Sequence, residues 1–168
     1  MTEMIERAVE MPPLKEQSAE EQIMRALERA VYDRGRDYVY DSQGGSCTYL
    51  ESIEERNRNI GYWTVDQDGI RDEYILEAPV EKLQTSCIIG AAVVSMGIPM
   101  IEIAPYNEMS AHDLMLELLP LRSLINQVSN EFKEGLIQLQ RHQDEEMPWG
   151  EALDEFKLYV GWPKENAA

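Results

Sequence analysis

Residues 110–139, SAHDLMLELLPLRSLINQVSNEFKEGLIQL, decide the fold class of this chain. Leu114, Leu118, Leu121, Ile125, Val128, Phe132, Leu136 and Leu139 recur at steps of three and four. That spacing stacks them on one face of a helix, because 3.6 residues make a turn. Ser110 followed by Asp113 is a helix-start arrangement, and Met109 is placed to staple onto Leu114. Pro120 cannot donate to the helical ladder, so the stretch predicts two helices, with Pro120 opening the second. Gly135 is tolerated inside the second at about 1 kcal/mol relative to Ala.

Outward from this stretch, further helices follow from local signals. Ser18 with Glu21 forms a capping box ahead of a helix over 19–34. Ile23, Ala26, Leu27, Ala30 and Val31 make its apolar stripe, and Gly35 ends it. Residues 87–96, CIIGAAVVSM, are apolar on every side. They predict a fully buried element, whose β-branched residues allow a strand but whose alanines favour a short core helix, capped by Thr85 or Ser86 and stopped at Gly97-Ile98-Pro99. Pro148 opens a last helix to Val160, with Trp149, Ala152, Leu153, Phe156 and Val160 on one face.

Between residues 36 and 83 the pattern changes. Tyr38-Val39-Tyr40 and Tyr62-Trp63-Thr64-Val65 suit strands. Asp68-Gly69 is a hairpin turn, and Tyr74-Ile75-Leu76 suits the returning strand. Glu51–Asn59 is polar and reads as a helical turn or loop. Met11-Pro12-Pro13 breaks the N-terminal segment, where a short helix over Glu3–Glu10 fits. The expectation is a predominantly helical α+β fold: a compact helical bundle with a small inserted β-hairpin. Residues 1–17 and 164–168 are expected to be tails around one globular domain at 18–163.

Composition bounds function. The chain has 168 residues, 43% hydrophobic, which suffices for a core without disulfide or metal staples. Its 32 acidic and 15 basic residues give a net charge of -17. Direct nucleic-acid binding and anionic membranes are disfavoured, because phosphate binding needs clustered Lys and Arg. A protein partner with a basic surface, or self-association, is the expected contact. The longest apolar run is far short of the ~20 residues a membrane span requires. Two cysteines, Cys47 and Cys87, in unlike contexts fit a cytosolic setting with reduced thiols.

Cys87 at a helix start is a candidate nucleophile, but needs a base nearby. Cys47, Cys87, His112 and His142 lack zinc-finger spacing. Asp66-Gln67-Asp68-Gly69 with Glu77 resembles a calcium loop, yet Arg71 stands where such a loop needs glycine. His112, Asp113 and Glu117 place acids on one helix side. Tyr106, Asn107 and Glu108 make an aromatic-polar loop before a helix start. The expectation is therefore no cofactor, no metal and no catalytic set. Cys87, Tyr106, Asn107, Glu108, His112 and Asp113 are the candidate binding residues.

Arg34-Gly35, then Cys87, Gly90 and Ala91, then Tyr106-Asn107-Glu108 form an ordered series. It resembles a family of small uncharacterised actinobacterial and actinophage proteins, whose middle element usually reads Cys-Ala-x-Gly-Ala and later one Trp-Asn-Asp. Gln143, Asp144, Pro148, Trp149, Gly150 and Ala152 are similar to tails among such phage proteins. The likeness spans residues 19–160. The chain departs from it in Tyr-Asn-Glu and in the stretch Gly44–Glu81, which reads as an insertion. The resemblance implies a phage or bacterial-host setting, in the host cytoplasm or on the virion, and no established activity. On these grounds the first expectation is a non-enzymatic acidic binding protein acting by protein–protein interaction. Alternatives are a self-assembling structural protein, or a small-molecule-binding protein or enzyme with a pocket near Cys87 and Tyr106–His112.

Overall fold

The computed structural model describes residues 17–41, 48–54 and 57–164. Among these are seven α-helices: α1 (Ala19–Arg34), α2 (Ile88–Ser95), α3 (Met100–Ile103), α4 (Ala111–Glu117), α5 (Leu119–Gln127), α6 (Asn130–Asp144) and α7 (Trp149–Tyr159). Four strands, β1 (Leu50–Ser52), β2 (Gly61–Val65), β3 (Arg71–Leu76) and β4 (Leu83–Thr85), form two antiparallel pairs, β1 with β4 and β2 with β3. The fold is the predominantly helical α+β arrangement expected. No helix among the described residues is long and apolar enough to cross a membrane. The possible helix at Glu3–Glu10 lies outside the described residues.

The first helix forms as its sequence dictates. The Ser18 N–H donates to Glu21 Oε2 at 2.8 Å, and the Glu21 N–H donates to Ser18 Oγ at 3.1 Å. Both arms of the capping box are thus closed. Its stripe, from Ile23 to Val31, is buried and packs chiefly on α2. The α2 helix is apolar all round, as a helix enclosed by others must be. Its N-cap is Cys87, one or two residues later than expected, with Sγ accepting the Gly90 N–H at 3.3 Å.

The 110–144 region holds three helices where two were expected. Leu118, ahead of Pro120, is extended and separates α4 from α5. A second break falls at Val128, also extended. There Ser129 caps α6 through a 3.2 Å bond from the Phe132 N–H. Glu20 from α1 accepts both the Ser129 N–H and its hydroxyl, at 3.0 and 2.8 Å. This tertiary anchor holds the break, while the apolar spacing runs through it unchanged. Leu114, Leu118, Leu121, Ile125, Val128, Phe132, Leu136 and Leu139 are all buried in one core. Each such side chain contributes roughly 1.5–3 kcal/mol when fully buried.

Two glutamines of α6 extend its role beyond packing. Gln140 Oε1 accepts the Ala111 N–H at 2.9 Å, and Gln143 Oε1 accepts the Ile88 N–H at 2.6 Å. One face of α6 therefore satisfies backbone donors at the starts of α4 and α2, which have no partners within their own helices.

The expected strand at Tyr38–Tyr40 is absent from the described structure. That segment serves the last helix instead: the Trp149 N–H donates to the Tyr38 carbonyl at 2.9 Å, and the Gly150 N–H to the Arg36 carbonyl at 2.8 Å. The polar stretch expected to be a turn or loop begins in strand β1, whose Glu51 pairs with Gln84 of β4. The β2–β3 hairpin is thus spliced between β1 and β4, whose pairing draws the two ends of the connection together.

Candidate functional site

The hairpin register places Trp63 opposite Tyr74 and Gly61 opposite Leu76. Alternation along a strand then puts Gly61, Trp63, Tyr74 and Leu76 on one face. That face looks onto the turn that follows α3. The Trp63 indole N–H donates to the Pro105 carbonyl at 2.9 Å, clamping the hairpin to residues 104–106. Trp63 and Tyr74 meet edge to face, 5.6 Å between centroids at 69°. Gly61 makes this possible: a Cβ there would lie 2.3 Å from the Ile75 carbonyl and 2.6 Å from the Tyr74 hydroxyl. The Tyr74 phenol therefore folds across bare backbone.

The loop on the far side is fixed by Asn107, which is buried. Its Oδ1 accepts the Leu50 N–H at 2.7 Å, and its Nδ2 donates to the Leu50 carbonyl at 3.0 Å. One side-chain amide thereby pairs with the open edge of β1 as a neighbouring strand would. The Tyr49 hydroxyl donates to the Met109 carbonyl and holds the end of the loop.

Between hairpin and loop lies a cleft of about 680 Å³. This is within the size range of small-molecule sites. Trp63, Tyr74 and Tyr106 supply its rings, Arg58 and Arg71 its positive charge, and Glu108 is the one acid among the described residues that line it. The Arg71 guanidinium lies 5.6 Å from the Trp63 ring centroid. Arg58 stacks over Tyr40 at 4.8 Å and donates to the Asp41 carbonyl. Burial, then the negative fields of Glu108 and Glu77, push the Tyr74 phenol above its ordinary pKa, so at neutral pH it is a protonated donor.

Of the six candidates from the sequence, Tyr106, Asn107 and Glu108 line this cleft, and Cys87, His112 and Asp113 do not. Cys87 is fully buried as the cap of α2. Asp113 accepts the Ser110 hydroxyl at 2.8 Å, and its own N–H donates to Ser110 Oγ at 3.2 Å, so it serves the start of α4. His112 Nδ1 lies 3.7 Å from Asp113 Oδ1. The Asp66 carboxylate accepts the Asp68 and Ile70 N–H groups at 2.9 and 2.8 Å, shaping the hairpin turn. No group of three or more metal-ligating side chains occurs among the described residues. Sequence reasoning missed Trp63, Arg71 and Tyr74 as one site. Their strand alternation was visible, but the loop that faces them lies over 30 residues away.

The lining side chains offer stacking, hydrogen-bond donors and a net positive charge. This arrangement can hold and orient a ligand. No family model, curated protein or solved structure matches the chain.

Proposed function

We propose that this chain is a non-enzymatic binding protein whose ligand sits in the cleft between the β2–β3 hairpin and the 104–109 loop. The cleft itself carries the reading: three aromatic residues, Trp63, Tyr74 and Tyr106, and two arginines converge on one concave space. Aromatic side chains combined with a few placed polar groups are a usual means by which ligand sites hold and orient what they bind. The loop is held by buried amide bonds rather than left mobile, so the site is formed before a ligand arrives.

A second reading rests on the hairpin tip. Val65 and Ile70 are each 63% exposed there, ringed by Asp66, Asp68 and Asp72. An apolar spot inside an acidic rim suits a protein partner with a basic surface, and a net charge of -17 would steer such a partner in. The sequence resemblance supports an actinophage or host-cytoplasm setting for that partner; self-assembly or virion association is its structural variant.

Native mass spectrometry of protein purified gently from a bacterial cytoplasm separates these readings. The cleft reading expects a small-molecule adduct that Tyr106→Ala diminishes. An adduct indifferent to Tyr106→Ala and Arg71→Gln would overturn it. A protein partner kept by those variants but lost when Asp66, Asp68 and Asp72 become Asn would move the function to the hairpin tip.

A further inference from the structure

Arg71 stands out in its surroundings. Residues 61–120 hold ten acids and two bases, Arg71 and Lys82. Lys82 pairs with Glu54 at 3.2 Å. The Arg71 guanidinium makes no hydrogen bond or ion pair with any described residue, although Asp72 and Glu73 follow it directly in β3. Its guanidinium lies by the Trp63 ring at the cleft. Stacking of that kind holds the guanidinium plane while leaving its N–H edge free to meet a planar acceptor.

The other walls select the rest of the ligand. Trp63, Tyr74 and Tyr106 present aromatic surface suited to a flat apolar body. The Tyr74 phenol stays protonated and adds a neutral donor. Among the lining residues Arg58 and Arg71 exceed Glu108 by one charge. Beyond the cleft the protein is strongly negative, so each further negative charge on a ligand meets repulsion.

We propose that the cleft binds a planar aromatic monoanion, its ring against Trp63 and Tyr74 and its carboxylate on the guanidinium edge of Arg71. The assignment rests on the reading of the cleft as a binding site. A dianion or nucleic-acid strand is disfavoured by the surrounding charge, and a neutral ring leaves Arg71 unused.

The test uses 2-naphthoate, its neutral isostere 2-naphthamide and the dianion 2,6-naphthalenedicarboxylate. Binding is followed at the indole N–H resonances of the full chain, whose three tryptophans include Trp63. Naphthoate is expected to shift the Trp63 resonance saturably and leave the buried Trp149 in place. The amide should bind about tenfold more weakly, the difference one charge-assisted hydrogen bond makes, and the dianion should bind more weakly than naphthoate because its second carboxylate meets the negative surroundings. Arg71→Gln, an exposed change that spares the fold, should bring naphthoate down to the amide's level without altering the amide. Glu108→Gln should tighten naphthoate a few-fold by removing the nearby negative charge.

Equal binding of acid and amide, a tighter dianion, or an indifferent Arg71→Gln would each overturn the monoanion assignment while the cleft remains a binding site. A Trp63 resonance unmoved by all three compounds would overturn both.

Discussion

Replacing Asn107 by Ala removes the amide that ties the 104–109 loop to β1. Leu50 is fully buried, and its N–H and carbonyl on that edge both pair with Asn107. Truncation leaves one donor and one acceptor without a partner in the interior. Each such loss costs about 1–3 kcal/mol, and partial relaxation brings the expected total to about 2–4 kcal/mol. For a chain of this length, that lowers the melting temperature by about 5–15 °C. Urea unfolding with an unchanged m-value is the assay that isolates a native-state loss. Asn107→Asp gives a signed companion. Its carboxylate would face the Leu50 and Arg58 carbonyls, which the Asn Nδ2 meets at 3.0 and 3.4 Å. Burial and those carbonyls raise its folded pKa above the unfolded value. Its contribution is therefore recovered below the unfolded pKa and lost as pH rises through the folded one. The deficit of Asn107→Asp relative to the native chain should shrink on acidification, while that of Asn107→Ala should not. A loss under about 0.5 kcal/mol for Asn107→Ala, the level of an ordinary surface change, would refute the pairing argument.

Three further outcomes follow from the same geometry. Gly135→Ala places a Cβ 2.7 Å from the Phe156 ring and 3.0 Å from Val160, so it should destabilise by about 1–3 kcal/mol despite alanine's better helix propensity; a gain in calorimetric stability would contradict the close α6–α7 packing. At Glu20 burial acts to raise the pKa, but the bonds from Lys164 and from the Ser129 N–H and hydroxyl outweigh it, and the pKa is lowered. Its stabilisation is thus present above the unfolded carboxyl pKa and lost as pH falls through the folded one, so thermal melts of the native chain and Glu20→Gln should converge under acid conditions. Cys87 is fully buried as a helix cap, so in a Cys47→Ser background its alkylation by iodoacetamide should track global unfolding; rapid labelling of the folded chain would reopen a nucleophilic role.

The sequence by itself determined the elements whose causes are local. The box of Ser18 and Glu21, the stripe from Ile23 to Val31, the all-round apolar α2 and the Asp66–Gly69 turn all rest on residues a few positions apart. Such interactions are written into spacing and survive any packing order. Tertiary structure decided the rest. The break at Val128 is fixed by Glu20, more than 100 residues away, so the helical spacing of Ile125, Val128 and Phe132 could not reveal it. The pairing of Leu50 with Thr85 and the caps from Gln140 and Gln143 join backbone groups to partners across the chain. The cleft exists because Trp63 reaches Pro105 and Asn107 reaches Leu50. Residue types set what each of these groups can bond, but burial leaves a polar group no water to turn to, and which distant partner then satisfies it is settled when the core closes.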